Sequence, residues 1–282
     1  MRLIPLLTAL SLSAFSVLSA KQVDNPDENT LWIEDGHGIE SSKVPDYHRW
    51  FLHGAKSVME TAAKTNDTGF IFRAPDGESK AVTRVNVSPD YPFLTFRITG
   101  YEYLKGYRNW TVASGLGNFG ISQVSATENG IFVFDLYQNL SGQERAGKSA
   151  YLSIYLYNLQ VDFEYIKLVK KPDYVVRAEC SEPVIRTGSR VKFTAELADE
   201  AEDVSLVLVS SGEPKNIRIN DSFRIQLAPA DKEGKTWAAE VYIKSIGIGK
   251  KRSRHSVFMK MDVLGGELDE PVWVGLPYAL EP

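Results

Sequence analysis

The chain has 282 residues, of which 43% are hydrophobic and 24% charged. That balance excludes disorder over most of the length and gives two domains of ordinary size enough apolar surface for a core each. The formal net charge is −4, and a mildly acidic chain without a basic stripe excludes a nucleic-acid binder.

Residues 1–20 read as a signal peptide. Arg2 is followed by an apolar stretch, and Ser16-Val17-Leu18-Ser19-Ala20 offers a small-residue cleavage site before Lys21. The stretch is too short and too rich in Ser and Thr for a membrane span. No cysteine follows the cleavage site, which excludes a lipid anchor there. The mature protein is therefore expected to be secreted or periplasmic, with no membrane span. Residues 21–30 are polar and read as a mobile leader.

A first strand is expected at Leu31-Trp32-Ile33. Over residues 48–63, Trp50, Phe51, Ala55, Val58, Met59 and Ala62 recur at near-helical spacing, so this segment is either a helix weakened by Gly54 or an ordered loop. From Thr68 onward the pattern is β. Gly69-Phe70-Ile71-Phe72-Arg73 precedes a turn signal, Pro75-Asp76-Gly77. Further strands are expected at residues 80–87, 93–98, 109–113, 120–124 and 130–136, and two strong ones at residues 151–157 and 161–169. Asn158-Leu159-Gln160 reads as the tight connection of a hairpin between the last two.

Lys170-Lys171-Pro172-Asp173 interrupts the pattern and marks a domain boundary, dividing residues 31–171 from residues 172–282. The second part carries about seven short strands. Val191, Phe193, Ala195 and Leu197 alternate with Lys192, Thr194 and Glu196. Trp237, Ala239, Val241 and Ile243 alternate in the same way. Period two means one buried face and one wet face, the sandwich pattern. Seven strands in roughly a hundred residues resemble an immunoglobulin-like or fibronectin-like sandwich in architecture, without the Cys-Trp-Cys signature of antibody domains. The fold expected is all-β: a larger sandwich followed by a smaller immunoglobulin-like one. Cys180 is the single cysteine, so no internal disulfide forms. Its strand setting makes it a small buried hydrophobe.

Motifs for nucleotide, phosphate or nucleophile chemistry are missing. Gly115-Leu116-Gly117-Asn118-Phe119-Gly120 matches a dinucleotide fingerprint in letters alone, because no strand–helix context surrounds it. His37, His48 and His53 lie near Glu34, Asp35 and Asp46, but their spacing matches no ligand motif. Lys250-Lys251-Arg252-Ser253-Arg254 reads as a solvated turn, with a sulfated or uronic-acid glycan as its alternative use.

Two stretches carry a family resemblance. Leu31-Trp32-Ile33-Glu34-Asp35-Gly36 is similar to the opening strand, and Val161-Asp162-Phe163-Glu164-Tyr165-Ile166-Lys167-Leu168 to the closing strand, of calcium-containing carbohydrate-binding modules with the galactose-binding-like jelly-roll fold. The resemblance rests on these two ends of residues 31–170. It implies a structural Ca²⁺ shared by Glu34 and Asp162, whose hard carboxylate oxygens suit that ion. It also implies a polysaccharide or glycan as partner. Exposed aromatics would make the sugar contacts, by stacking on the C–H faces of pyranose rings. Tyr103, Tyr107, Arg108, Trp110 and Tyr137 are the candidates. The function expected is a non-catalytic carbohydrate-binding accessory protein, with a protein partner open to the second domain. A polysaccharide-degrading enzyme, lyase or glycoside hydrolase, using a carboxylate or Tyr47 with His48 or His53, and an envelope structural or adhesion protein, are the two alternatives.

Overall fold

The computed structural model describes residues 27–34, 50–54, 56–61, 69–106, 109–114, 129–137, 149–210, 217–219, 224–246, 257–264, 271–276 and 279–281. The expected signal peptide and the expected leader up to residue 26 lie outside them. The chain is all-β, and no described residue is helical. No described helix is long and apolar enough to cross a membrane.

Residues before the Lys170 interruption form β1 (Thr30–Glu34), β2 (Phe51–His53), β3 (Val58–Thr61), β4 (Phe70–Asn86), β5 (Phe93–Tyr103), β6 (Asn109–Ser114), β7 (Gly130–Asp135) and β8 (Ser149–Val169). The later part supplies β9 (Val175–Cys180), β10 (Val184–Arg186), β11 (Arg190–Leu197), β12 (Asp203–Ser210), β13 (Ile217–Ile219), β14 (Arg224–Gln226), β15 (Ala228–Pro229), β16 (Thr236–Ile246), β17 (Val257–Leu264), β18 (Val272–Leu276) and β19 (Ala279–Glu281).

β8 is the spine of the first half. One of its edges carries β4 and then β1; the other carries β6 and then β5. Two local expectations are corrected here. Asn158 does not close a hairpin. It sits at positive φ (51°) inside one continuous strand, where β8 is hydrogen-bonded on both sides. The segment 48–63 is not a helix either. Within it, β2 and β3 pair with β4, because the outer edge of β4 is available to satisfy their backbone groups.

The second half is a sandwich of two sheets. β13, β16, β11 and β9 form one, with β15 on β16; β14, β12, β17 and β18 form the other. Val191, Phe193, Ala195 and Leu197 point into the core between them, as the alternation requires, with Trp237, Val241 and Ile243 of β16. Cys180 is buried in the same core. β10 and β19 form a separate parallel pair.

The two halves are joined by hydrogen bonds as well as by the chain. β18 pairs in parallel with β7, which extends one sheet across both. Parallel strands buried on both faces read as unbroken apolar runs, and Ile131-Phe132-Val133-Phe134 and Val272-Trp273-Val274 are such runs. Phe132, Phe134 and Trp273 face the first core; Ile131, Val133, Val272 and Val274 face the second. The pair is thus a wall between two cores. Gly130 makes it possible. Its φ is +144°, and a Cβ there would stand 2.4 Å from the Pro271 carbonyl oxygen.

An aromatic row crosses the first core from strand to strand. Ring centroids step from Trp273 to Phe132 (5.6 Å), Phe96 (4.9 Å), Phe163 (6.2 Å), Phe70 (5.0 Å) and Trp50 (6.3 Å). Such pairs contribute beyond the area they bury.

Candidate functional site

The end of β5 is built around a shared irregularity. In β4 the register jumps between Ala74 and Glu78, so Pro75, Asp76 and Gly77 bulge out opposite Asn158 of β8. The turn chemistry of Pro-Asp-Gly is used here within a strand. Asn158 is buried and ties the level together. Its side-chain Oδ1 accepts the Gly77 N–H at 2.9 Å, and its carbonyl accepts the Leu104 N–H at 3.2 Å. Asp76, at the tip of the bulge, accepts hydrogen bonds from Lys105 Nζ at 2.5 Å and Lys56 Nζ at 2.7 Å. These two ammonium groups, Lys105 foremost, hold the Asp76 carboxyl down at about 2, and Asp76 in turn raises Lys56.

Tyr103 ends β5 at this level, opposite Leu159 and 39% exposed. Glu102 beside it lies 4.0 Å from Arg73. The braced strand end thus carries an exposed aromatic, while the Glu102–Arg73 pair on the neighbouring rung leaves from the opposite face. Tyr107 and Arg108 lie outside the described residues. Trp110 is in β6, paired with Leu156 of β8. Tyr137 follows β7 elsewhere in the fold. It is half-buried against the first core, and burial raises its phenol, with Asp135 adding to the effect. The structure therefore gathers Tyr103 and Trp110 around β8 and leaves Tyr137 apart.

The residues that the resemblance assigns to calcium take separate positions. Glu34 pairs with Ile166, four residues along β8 from Asp162. At ~3.4 Å per residue that is ~14 Å along the strand, so the pairing by itself does not bring the two to one ion. Asp162 Oδ1 accepts a hydrogen bond from Gln160 Nε2 at 3.0 Å, and Gly100 leaves the room that its Oδ2 occupies. Among the described residues, no three His, Cys, Asp or Glu side chains gather as a metal site. His53 is exposed on β2. His37, Tyr47, His48, the glycine string at 115–120 and the basic cluster at 250–254 lie outside the described residues.

At the other end of β5, ~30 Å away by strand rise, a cleft of about 590 Å³ opens where the halves meet. Phe93 of β5, Val133 and Asp135 of β7 and Val274 of β18 form one side. β9 and Glu196 of β11 form the other, and Lys170 and Lys171 stand at the connection. Sequence reading could not have found it, because its walls come from five strands that only long-range pairing brings together.

No protein-family model matches the chain, and no curated protein matches it. Among solved structures, the chain is similar to a β-glucuronidase from Bifidobacterium dentium at 8% identity and a TM-score of 0.26, covering 83% of this chain and 48% of that one. It is similar to a DUF4785 family protein from Legionella pneumophila at 12% identity and a TM-score of 0.29, covering 81% and 65%. The N-terminal domain of the Streptococcus gordonii adhesin Sgo0707 matches at 9% identity and a TM-score of 0.22, covering 82% and 75%. The chain spans about half the length of the glucuronidase and under two thirds of the Legionella protein. At these scores the superpositions assign neither a fold family nor an activity.

Proposed function

We propose that this chain is an exported, non-catalytic carbohydrate-binding protein that engages a glycan through the end of β5. The exposure of Tyr103 on a braced strand end carries the reading. A tyrosine face offers apolar area to a sugar ring at low cost in side-chain entropy. Lys105, two residues further on, and its partner Asp76 offer a donor and an acceptor for hydroxyl groups at this strand end, and the Asn158 bridge fixes the platform before any ligand arrives. Tyr107 and Arg108, in the sequence between β5 and β6, and Trp110 in β6 extend the proposed contact. Calcium on Glu34 and Asp162 is a separate proposal. An unchanged melting temperature after chelation and Ca²⁺ titration would remove it.

The test is a glycan array with the mature chain, followed by calorimetry on any hit. Tyr103→Ala is expected to weaken binding ~10-fold, the order of losing one buried aromatic anchor. Absence of binding to every glycan would defeat the proposal. A second reading, an envelope protein-contact role, is favoured by Phe51, Leu52 and Val58, which stand exposed on β2 and β3. Concentration-dependent self-association abolished by Leu52→Lys would favour it over the first.

A further inference from the structure

We propose that the cleft between the halves is a second carbohydrate site, one that takes a short uncharged oligosaccharide. This rests on the carbohydrate reading above and adds a location and a ligand class to it. Its volume lies within the range of small-molecule sites, which favour junctions between domains.

β9 lines the cleft with five consecutive residues, 175–179. Neighbouring residues of a strand point to opposite faces, so a cavity that touches all five runs along the strand's edge. β9 is the end strand of its sheet, paired with β11 on its other side. Every second residue therefore turns its N–H and C=O toward the cleft, a row of fixed donors and acceptors.

The side chains set the ligand class. Asp135, Glu179 and Glu196 bring three carboxylates; Lys170, Lys171 and Arg177 bring three cations. The charges balance, so the cleft has no net field to select a polyanion or a polycation. Arg177 is already ion-paired with Glu179 and faces Glu196 across the β9–β11 register. Lys170 lies over the ring of Tyr91, 5.1 Å from its centroid. Lys171 is held by its backbone, whose N–H donates to Asn29 Oδ1 at 2.9 Å and whose carbonyl accepts Asn29 Nδ2 at 2.8 Å. Charged groups of both signs form strong hydrogen bonds to neutral hydroxyls. Phe93, Val133 and Val274 add an apolar floor. A hydroxyl-rimmed ring with an apolar C–H face satisfies both at once. With no net field, neither an anionic nor a cationic sugar gains over a neutral one.

The experiment is calorimetry of the full mature chain against neutral and uronic-acid oligosaccharides of two to four units, and against an extended pentapeptide. Glu196→Gln and Lys171→Ala alter exposed side chains and should leave the circular dichroism unchanged. Glu240→Gln, an exposed carboxylate on β16 outside the cleft, is the control. The expected result is binding of a neutral oligosaccharide, weakened ~10-fold by each cleft variant and unaffected by the control. Binding that ignores both cleft variants, or that is confined to uronic-acid ligands, overturns the cleft assignment while leaving carbohydrate binding intact. Peptide binding without sugar binding makes β9 a strand-addition edge and overturns the site's ligand class. No glycan binding at all, here and on the array, removes the underlying reading as well.

Discussion

Trp273 lies late in the chain yet fills the core of the first half. It is 2% exposed, pairs with Phe132 across the β18–β7 ladder and stacks on its ring. Replacing it with alanine removes ~150–250 Å² of buried aromatic surface, or ~4–6 kcal/mol at ~25 cal/mol per Å² as an upper bound. Cavity series place such truncations at ~3–5 kcal/mol. That is a large part of the ~5–15 kcal/mol by which domains are stable. Because β7 and β18 wall both cores, the loss should spread to both halves. Urea unfolding of Trp273→Ala should show a lower midpoint in one coincident transition by fluorescence and circular dichroism. Hydrogen exchange should quicken in β5 and β8 as well as in β11 and β16. If exchange rose only after Pro172, with β5 and β8 as protected as in the parent chain, the shared-wall argument would be refuted.

Other perturbations follow from single contacts. Gly130→Ala forces a Cβ against the Pro271 carbonyl at positive φ and should lower the urea midpoint by the equivalent of ~2 kcal/mol or more, measured by chemical denaturation. Asp76 is held at about 2, below its ordinary 3.8, by Lys105 and Lys56. The folded state binds this proton less readily than the unfolded one. Its stabilisation is therefore present above about pH 4 and fades as pH falls towards 2. Melting temperatures of the parent chain and Asp76→Asn should converge over that window. Because the group is exposed, high salt should shrink the difference between them; a salt-independent gap would contradict the ion-pair origin.

Much of the fold was legible because alternation is a local property. Val191 through Leu197 and Trp237 through Ile243 bury the residues that their period predicts. The misreadings have physical causes. Trp50, Val58 and Met59 are spaced like a helix face, but Gly54 weakens a helix and the open edge of β4 offers β2 and β3 full hydrogen bonding. Asn158 carries a turn residue's tolerance for positive φ. In the fold this serves a bulge held by Gly77 and Leu104 rather than a chain reversal. Of the proposed sugar contacts, Tyr103 could be named as a candidate exposed aromatic, and the structure sets it at the end of β5. The cleft could not, since no local pattern links Phe93, Glu179 and Lys171.

Sequence alone therefore determined that most of this chain makes strands and which side chains of strands such as β11 and β16 turn inward, because both follow from the two-residue period of an extended backbone. Tertiary structure alone decided which strands became neighbours. The apolar run at Ile131–Phe134 needs a partner on each edge and cover on each face. The strand that meets one of those edges is β18, which local sequence cannot specify, since strand pairing is a hydrogen-bond match between distant segments.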